Sequence, residues 1–206
     1  MADEPRVAKR SKDSVANTLI VSVGLSLVAS VLVAGTAITL KPVQERNEER
    51  FRQQIILDVA GLYEPDADVG ELFGQIETRA VDLDDGEYVA DFDIEDFDAE
   101  LAAKDPDLGV NIAADDDVAS LRRRARIVPV YLVLANGSID QLILPVYGPG
   151  LWSTMRGFLA MDPDGNTVRG LRFYEHAETP GLGDQIDKPA WREQWAGKQV
   201  YADDPV

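Results

Sequence analysis

Residues 127–174 read IVPVYLVLANGSIDQLILPVYGPGLWSTMRGFLAMDPDGNTVRGLRFY, and the fold is decided here. Residues 127–134 are apolar or β-branched almost throughout, as a strand requires, and Asn136-Gly137 then supplies a two-residue hairpin turn. Residues 142–147 form the returning strand. A second hairpin is read from 158–161, the turn Asp162-Pro163-Asp164-Gly165, and 167–174. Beyond it a helix is expected from Pro189, a first-turn proline, through Trp195, with Gly197 ending it. Strands in succession with flanking helices predict an α+β domain built on an antiparallel or mixed sheet.

Upstream of this stretch the pattern is less regular. Residues 91–95 alternate as a half-buried strand would, and 72–83 are mixed and short. Residues 118–126 read as a helical turn carrying Arg122, Arg123, Arg124 and Arg126. That basic cluster follows residues 82–117, which hold 15 acidic residues and one basic, Lys104. Neutralisation of the acidic region within the chain is the favoured reading, with an anion site as the alternative. A calcium loop fits poorly, because in Asp82-Leu83-Asp84-Asp85-Gly86 the Gly comes one place too early for an EF-hand. Residues 42–60 place Val43, Phe51, Ile55 and Val59 on one helical stripe, interrupted by Asn47 and stopped at Gly61.

Residues 14–40 carry no formal charge. At about 1.5 Å per residue they reach roughly 40 Å as a helix, enough to cross a hydrocarbon core of about 30 Å. A retained membrane anchor is expected; a cleaved signal peptide ending near Ala34-Gly35-Thr36-Ala37 is the competing reading. Ser22, Ser26, Ser30 and Ala34 give one face of small side chains, suited to packing against helices of partner subunits. Basic residues on the two flanks balance, but a long carboxy-terminal domain is translocated largely regardless of its charge, which places the amino terminus in the cytoplasm.

The chain has 206 residues, 37 Asp plus Glu against 20 Lys plus Arg, one His and no Cys. No disulfide, thiolate nucleophile, iron–sulfur cluster or cysteine-ligated zinc can form within it. A net charge of -17 argues against nucleic acid, because phosphate binding needs a cationic surface. Acid excess with scarce Lys suits a protein bathed in strong salt, where self-repulsion is screened. Redox or group-transfer chemistry would therefore need an organic cofactor or a partner; no metal site and no catalytic side chain is assigned.

Two segments could carry a ligand. Gly148-Pro149-Gly150-Leu151-Trp152-Ser153-Thr154-Met155 delivers a flat apolar ring beside two hydroxyls, apt for a planar polar ligand. The structural alternative is a Trp plugging the sheet end, with Ser or Thr capping a helix that starts at Met155. In Glu178-Thr179-Pro180-Gly181-Leu182-Gly183 the glycines let the backbone approach a ligand closely, and Glu178 and Thr179 can hydrogen-bond its polar atoms. His176 lacks a nucleophile partner and is read as a surface or packing residue.

The run ILPVYGPGLWSTMRGFLAMDPDGNTVRGLRFYEHAETPGLGDQID, with RRRARIVPVYLV before it, PAWREQWAGK after it and LKPVQERN beyond the apolar segment, resembles the C subunit of the sodium-translocating NADH:quinone reductase. The LWSTM and ETPGLG loops belong to the FMN-binding domain shared with the G subunit of the Rnf complex. The resemblance implies an FMN-carrying subunit of the NADH:ubiquinone reductase (Na+-transporting) that relays electrons toward quinone. It further implies a single span in the bacterial inner membrane with a periplasmic domain, and contact with the lipid bilayer and other subunits of the complex through helix and domain. Expected boundaries are 1–13 cytoplasmic tail, 14–40 transmembrane helix, 41–61 connecting helix and 62–206 FMN-binding-type domain. Carried over position by position, Trp152, Ser153, Thr154, Glu178, Thr179, Gly181 and Leu182 are the cofactor-binding residues. In the family the FMN phosphate is esterified to a Thr in a Ser-Gly-Ala-Thr motif. That motif is absent from this chain, so the acceptor is expected beyond residue 206, the domain incomplete at its carboxy terminus, and the chain alone inactive. The alternatives are a cofactor-free membrane-anchored binding or assembly module, and the G subunit of an Rnf-type complex.

Overall fold

The computed structural model describes residues 14–90, 92, 94 and 97–201. The chain divides into two compact units, residues 1–48 and 49–206. One helix, α1 (Val15–Val59), contributes to both. Its amino-terminal half is long and apolar enough to cross a membrane, with Leu25, Val31, Val33 and Ile38 all exposed. Ser14 Oγ accepts a hydrogen bond from the Asn17 N–H and so serves one of the orphan donors of the first turn. Pro42 lies inside the helix, which continues through it despite the missing N–H.

The second unit begins with the last turns of α1. Ile55, Ile56 and Leu57 are fully buried there, whereas Val43 and Phe51 of the expected stripe stay exposed. Gly61, at φ +71°, ends the helix: its N–H donates to Asp58 O while Leu62 N–H reaches back to Leu57 O. These are the paired bonds of a left-handed helix terminus, a conformation that a side chain at Gly61 would oppose.

Six strands form one open sheet. They are β1 (Ile76–Asp82), β2 (Tyr88–Val89), β5 (Ile127–Ala135), β6 (Ser138–Pro149), β7 (Thr154–Met161) and β8 (Val168–Glu175), in the order β2-β1-β5-β6-β7-β8. Every pairing in it is antiparallel, which resolves the choice left open by the sequence. The Asn136-Gly137 hairpin forms as expected, with Ala135 opposite Ser138. Pro129 and Pro145 each lie two residues beyond the last β5–β6 pair, Tyr131 with Ile143. Neither can donate to a ladder, so the two strands part where the prolines enter. Tyr131, Ile143, Phe158 and Ala160 pack with Ile55, Ile56 and Leu57 into the core. Phe158 meets Tyr131 edge-on at 5.7 Å and stacks on Tyr174 at 5.3 Å.

Several local expectations are overturned. Residues 118–126 are not helical. The Asp117 carboxylate accepts the N–H groups of Leu121 and Arg122, Ser120 and Arg122 take positive φ, and β4 (Arg123–Ala125) then pairs with β3 (Gly109–Asn111). A short acidic side chain here outcompetes the helical backbone bonds. The arginines serve intramolecular contacts: Arg124 pairs with Asp84, Arg126 with Asp82 and Asp84, and Arg123 donates to the carbonyls of Lys104, Asp105 and Gly109. The short mixed segment 72–83 resolves into the end of α2 (Val69–Phe73), capped by Asp68, and β1; α3 (Ala99–Lys104) comes later in the acidic region. The strand expected at 91–95 lies outside the described residues apart from Phe92 and Ile94, neither in a strand. The helix from Pro189 holds as α4 (Pro189–Arg192) and then tightens into a 3-10 turn, Glu193–Trp195.

Candidate functional site

The site grows from the turn between β6 and β7. Pro149 is paired with Thr154, so Gly148 and Pro149 belong to the strand and the turn itself is only 150–153. Gly150 N–H closes it on Ser153 O at 2.8 Å. Trp152 stands at the tip, 67% exposed, and so does not plug the sheet. Nor does a helix begin at Met155: with Gly148 opposite Met155, the strand ladder has already claimed that backbone.

A second loop leaves β8. The Thr179 carbonyl accepts the N–H groups of Leu182 and Gly183, at 3.0 and 2.9 Å, and Gly181 N–H donates to Asp184 Oδ1. A 3-10 turn, Gly183–Asp187, follows. Glu178 N–H donates to His176 Nδ1 at 3.2 Å. A neutral ring therefore carries its proton on Nε2, which donates to Asp187 Oδ2 at 2.9 Å. His176 thus shapes the loop, in keeping with a packing role.

The two loops are fastened together. Glu178 Oε1 accepts the Leu151 N–H at 2.8 Å, and the Trp152 indole Nε1–H donates to Thr179 Oγ1 at 3.1 Å. Glycine makes the approach feasible: a Cβ on Gly183 would stand 2.7 Å from Glu178 Cβ, and one on Gly150 would stand 2.7 Å from Glu178 Oε1. Of the seven residues singled out in the sequence, Trp152, Glu178 and Thr179 make this joint, and Gly181 and Leu182 lie on the loop it holds. Ser153 and Thr154 point their bonds elsewhere, Ser153 Oγ to Thr154 O and Thr154 Oγ1 to Glu100 Oε1.

Sequence reasoning missed the groups behind Thr154. Arg156 pairs with both Glu100 and Glu175. Burial works against its charge, but the bonds to Glu175 and Glu100 outweigh burial and hold its pKa above the ordinary value. Tyr147, opposite Arg156, has its phenol pushed up by burial and by the nearby Glu100, and its Oη has no hydrogen-bond partner among the described residues. Glu100 lies 56 positions from Arg156, so no local spacing could have announced the cluster. Gly150 and Gly183 did have a signal, the repeated Gly around Pro149 and Leu182.

Chemically, the joined loops combine exposed apolar side chains with acidic ones. Leu151, Trp152 and Leu182 are 77%, 67% and 75% exposed, an unusual grouping for side chains of that size. Between His176 and Lys188 the charged groups, Glu178, Asp184 and Asp187, are all acidic. Exposed apolar side chains beside acidic ones would suit a planar, largely apolar ring better than an anion.

The FMN-binding domain model matches residues 150–205, starting at the first residue of the β6–β7 turn and so covering both loops. The C subunit of the Na(+)-translocating NADH-quinone reductase of Neisseria meningitidis serogroup B is 48% identical over 195 residues, covering 94% of this chain and 75% of that one. The chain belongs to the C-subunit family of these reductases. The C subunit from Pasteurella multocida is 44% identical, with 95% and 76% covered. Among solved structures, NqrC of Shewanella oneidensis superposes with a TM-score of 0.70 at 32% identity, covering 77% of this chain and 73% of that one. The C subunit from Parabacteroides distasonis gives 0.61 at 26%, with 79% and 71% covered. As a member of this family the protein is a subunit of an oxidoreductase complex, and FMN is its cofactor. The family's architecture, a long apolar amino-terminal helix followed by an antiparallel-sheet domain, is that of this chain.

Proposed function

We propose that this chain is the FMN-carrying electron-transfer subunit of a sodium-pumping NADH:quinone oxidoreductase and passes electrons toward quinone. FMN, when bound, supplies the redox chemistry, which suits a chain without Cys. The observation that carries the reading is the exposure of Leu151, Trp152 and Leu182 on two loops that Glu178 and the Trp152–Thr179 bond hold in register. Trp152 and Leu182 give the flavin ring an apolar bed, and the bond to Thr179 fixes the angle of the indole. Glu178 sets the height of the β6–β7 turn, while Gly181 and the backbone around it let the ring lie close to the main chain. Ser153 and Thr154 border the bed from the β7 side. The acidic loop leaves the phosphate to groups elsewhere, in keeping with a phosphoester to a Thr outside these loops.

In this reading residues 14–40 span the bacterial inner membrane and 1–13 are cytoplasmic. Residues 41–61 connect the span to a periplasmic domain at 62–206, whose core takes in the last turns of α1. Helix and domain meet other subunits of the complex. In the assembled complex, Trp152→Ala combined with Leu182→Ser is expected to abolish most of the visible circular dichroism of this subunit's flavin and to slow NADH-driven quinone reduction. An unchanged flavin spectrum and unchanged rate would refute it.

A further inference from the structure

Asp58 lies in the last turn of α1, between the buried Leu57 and Val59, which closes on Gly170 of β8. Its Oδ2 accepts from two guanidinium groups at once. One belongs to Arg172 on β8; the other, at 2.9 Å, belongs to Arg192 at the end of α4. The three side chains are 26–28% exposed, so the cluster is largely withdrawn from water. Arg192 Nε is buried without a hydrogen-bond partner among the described residues, which leaves that guanidinium dependent on Asp58.

The chain between the two arginines is the second loop of the site. Arg172 lies four residues before His176, and Arg192 four residues after Lys188, so a single carboxylate clasps both ends of the segment that holds Glu178, Thr179, Gly181 and Leu182. We propose that Asp58 is a positioning residue of the flavin bed, setting the separation of the ends of the 176–188 loop and thereby the height of Leu182 and Thr179 against Trp152. The inference rests on the proposed flavin reading. Two positive charges drawn to one carboxylate repel each other once it is neutralised. A further fastening of α4 to β8 is the contact of Trp191 with Phe173, at 6.2 Å between ring centroids, which carries no charge to offset that repulsion. Asp58 stands 92 positions before Gly150, where the FMN-binding domain match begins, so the role lies outside the segment that the family model describes.

The test uses the full complex carrying FMN, with Asp58→Asn, Asp58→Glu and Gly183→Ala compared by three readouts. These are visible circular dichroism of the subunit's flavin, its midpoint potential, and hydrogen exchange of amides in 176–188 against amides in β6 and β7. For Asp58→Asn, exchange in the loop should speed by about tenfold, the change that follows when a bond worth about 1.4 kcal/mol is lost. Exchange in β6 and β7 should change little, the flavin dichroism should fall and the potential should shift; Asp58→Glu should restore all three. Uniformly faster exchange with an unchanged flavin signal and potential would make Asp58 merely structural and overturn the proposal. Gly183→Ala separates the two readings. If it alters the flavin signal while Asp58→Asn does not, the clasp fails and the bed stands; if neither alters it, the flavin bed itself is misplaced and the clasp falls with it.

Discussion

β7 is entered and left through two turns that differ in what they leave uncovered. In the turn into β8, Asp164 accepts from the N–H groups of Asn166 and Thr167 and from Thr167 Oγ1, and Arg169 bridges Asp162 and, on β6, Asp140. Asn166 also ties this turn to Val200 and Tyr201, and no large apolar side chain is left exposed in it. The turn from β6, closed by the bond from Gly150 N–H to Ser153 O, presents a different surface. It exposes Leu151 and Trp152 and takes its support from Glu178 and Thr179, 27 positions away. Both turns take bonds from distant residues, but only the one that leaves apolar surface uncovered is shaped for something that will cover it.

The largest effect should come from crowding the joint of the second turn. Gly183→Ala places a Cβ within 2.7 Å of Glu178 Cβ, which the neighbouring backbone must yield to. A loss of about 1–3 kcal/mol of stability is expected, together with a disturbed flavin spectrum. Thermal melting and visible circular dichroism read the two separately. A Gly183→Ala protein that keeps both would break the comparison at its strongest point.

Next comes Trp152→Ala. Because the indole is mostly exposed, melting should move little, while flavin affinity of a non-covalently loaded protein should fall by about tenfold, the scale of one lost aromatic contact. Asp164→Ala should show the opposite pattern, with melting lowered by a few degrees and the flavin untouched. If the two substitutions cannot be told apart by these measurements, the division between a turn with apolar surface uncovered and one without it has no functional content.

A gentler probe is pH. The bonds from Thr167 and Asn166 hold the Asp164 carboxyl below the usual carboxylate range, and the bond from Arg126 does the same for Asp82. A depressed folded value means that the stabilisation is present above the unfolded value and is lost as pH falls through the folded one. Melting temperature should therefore decline below about pH 4, and less steeply in Asp164→Asn. The smallest expected change is Trp152→Phe, which removes only the indole bond to Thr179. Flavin should stay bound, with a small shift in its dichroism.

Elements with a local cause were legible in the sequence. Asn136-Gly137 announced its hairpin and Gly61 the end of α1, because each needs a backbone geometry that its residues favour. The arginine segment was misread because Asp117 competes for the amides of Leu121 and Arg122, a contest that periodicity does not register. Trp152 and Glu178 were visible as ligand-type residues, but their joint was not, since hydrogen bonds across 27 positions depend on strand register. Arg156 with Glu100, and Asp58 with two arginines, were hidden for the same reason at longer range.

The most direct measurement is a structure of the FMN-loaded protein. The isoalloxazine ring is expected in van der Waals contact with Leu151, Trp152 and Leu182, with Glu178 still bonded to the Leu151 amide. A ring seated against any other surface, with those three side chains left in water, would contradict the flavin bed.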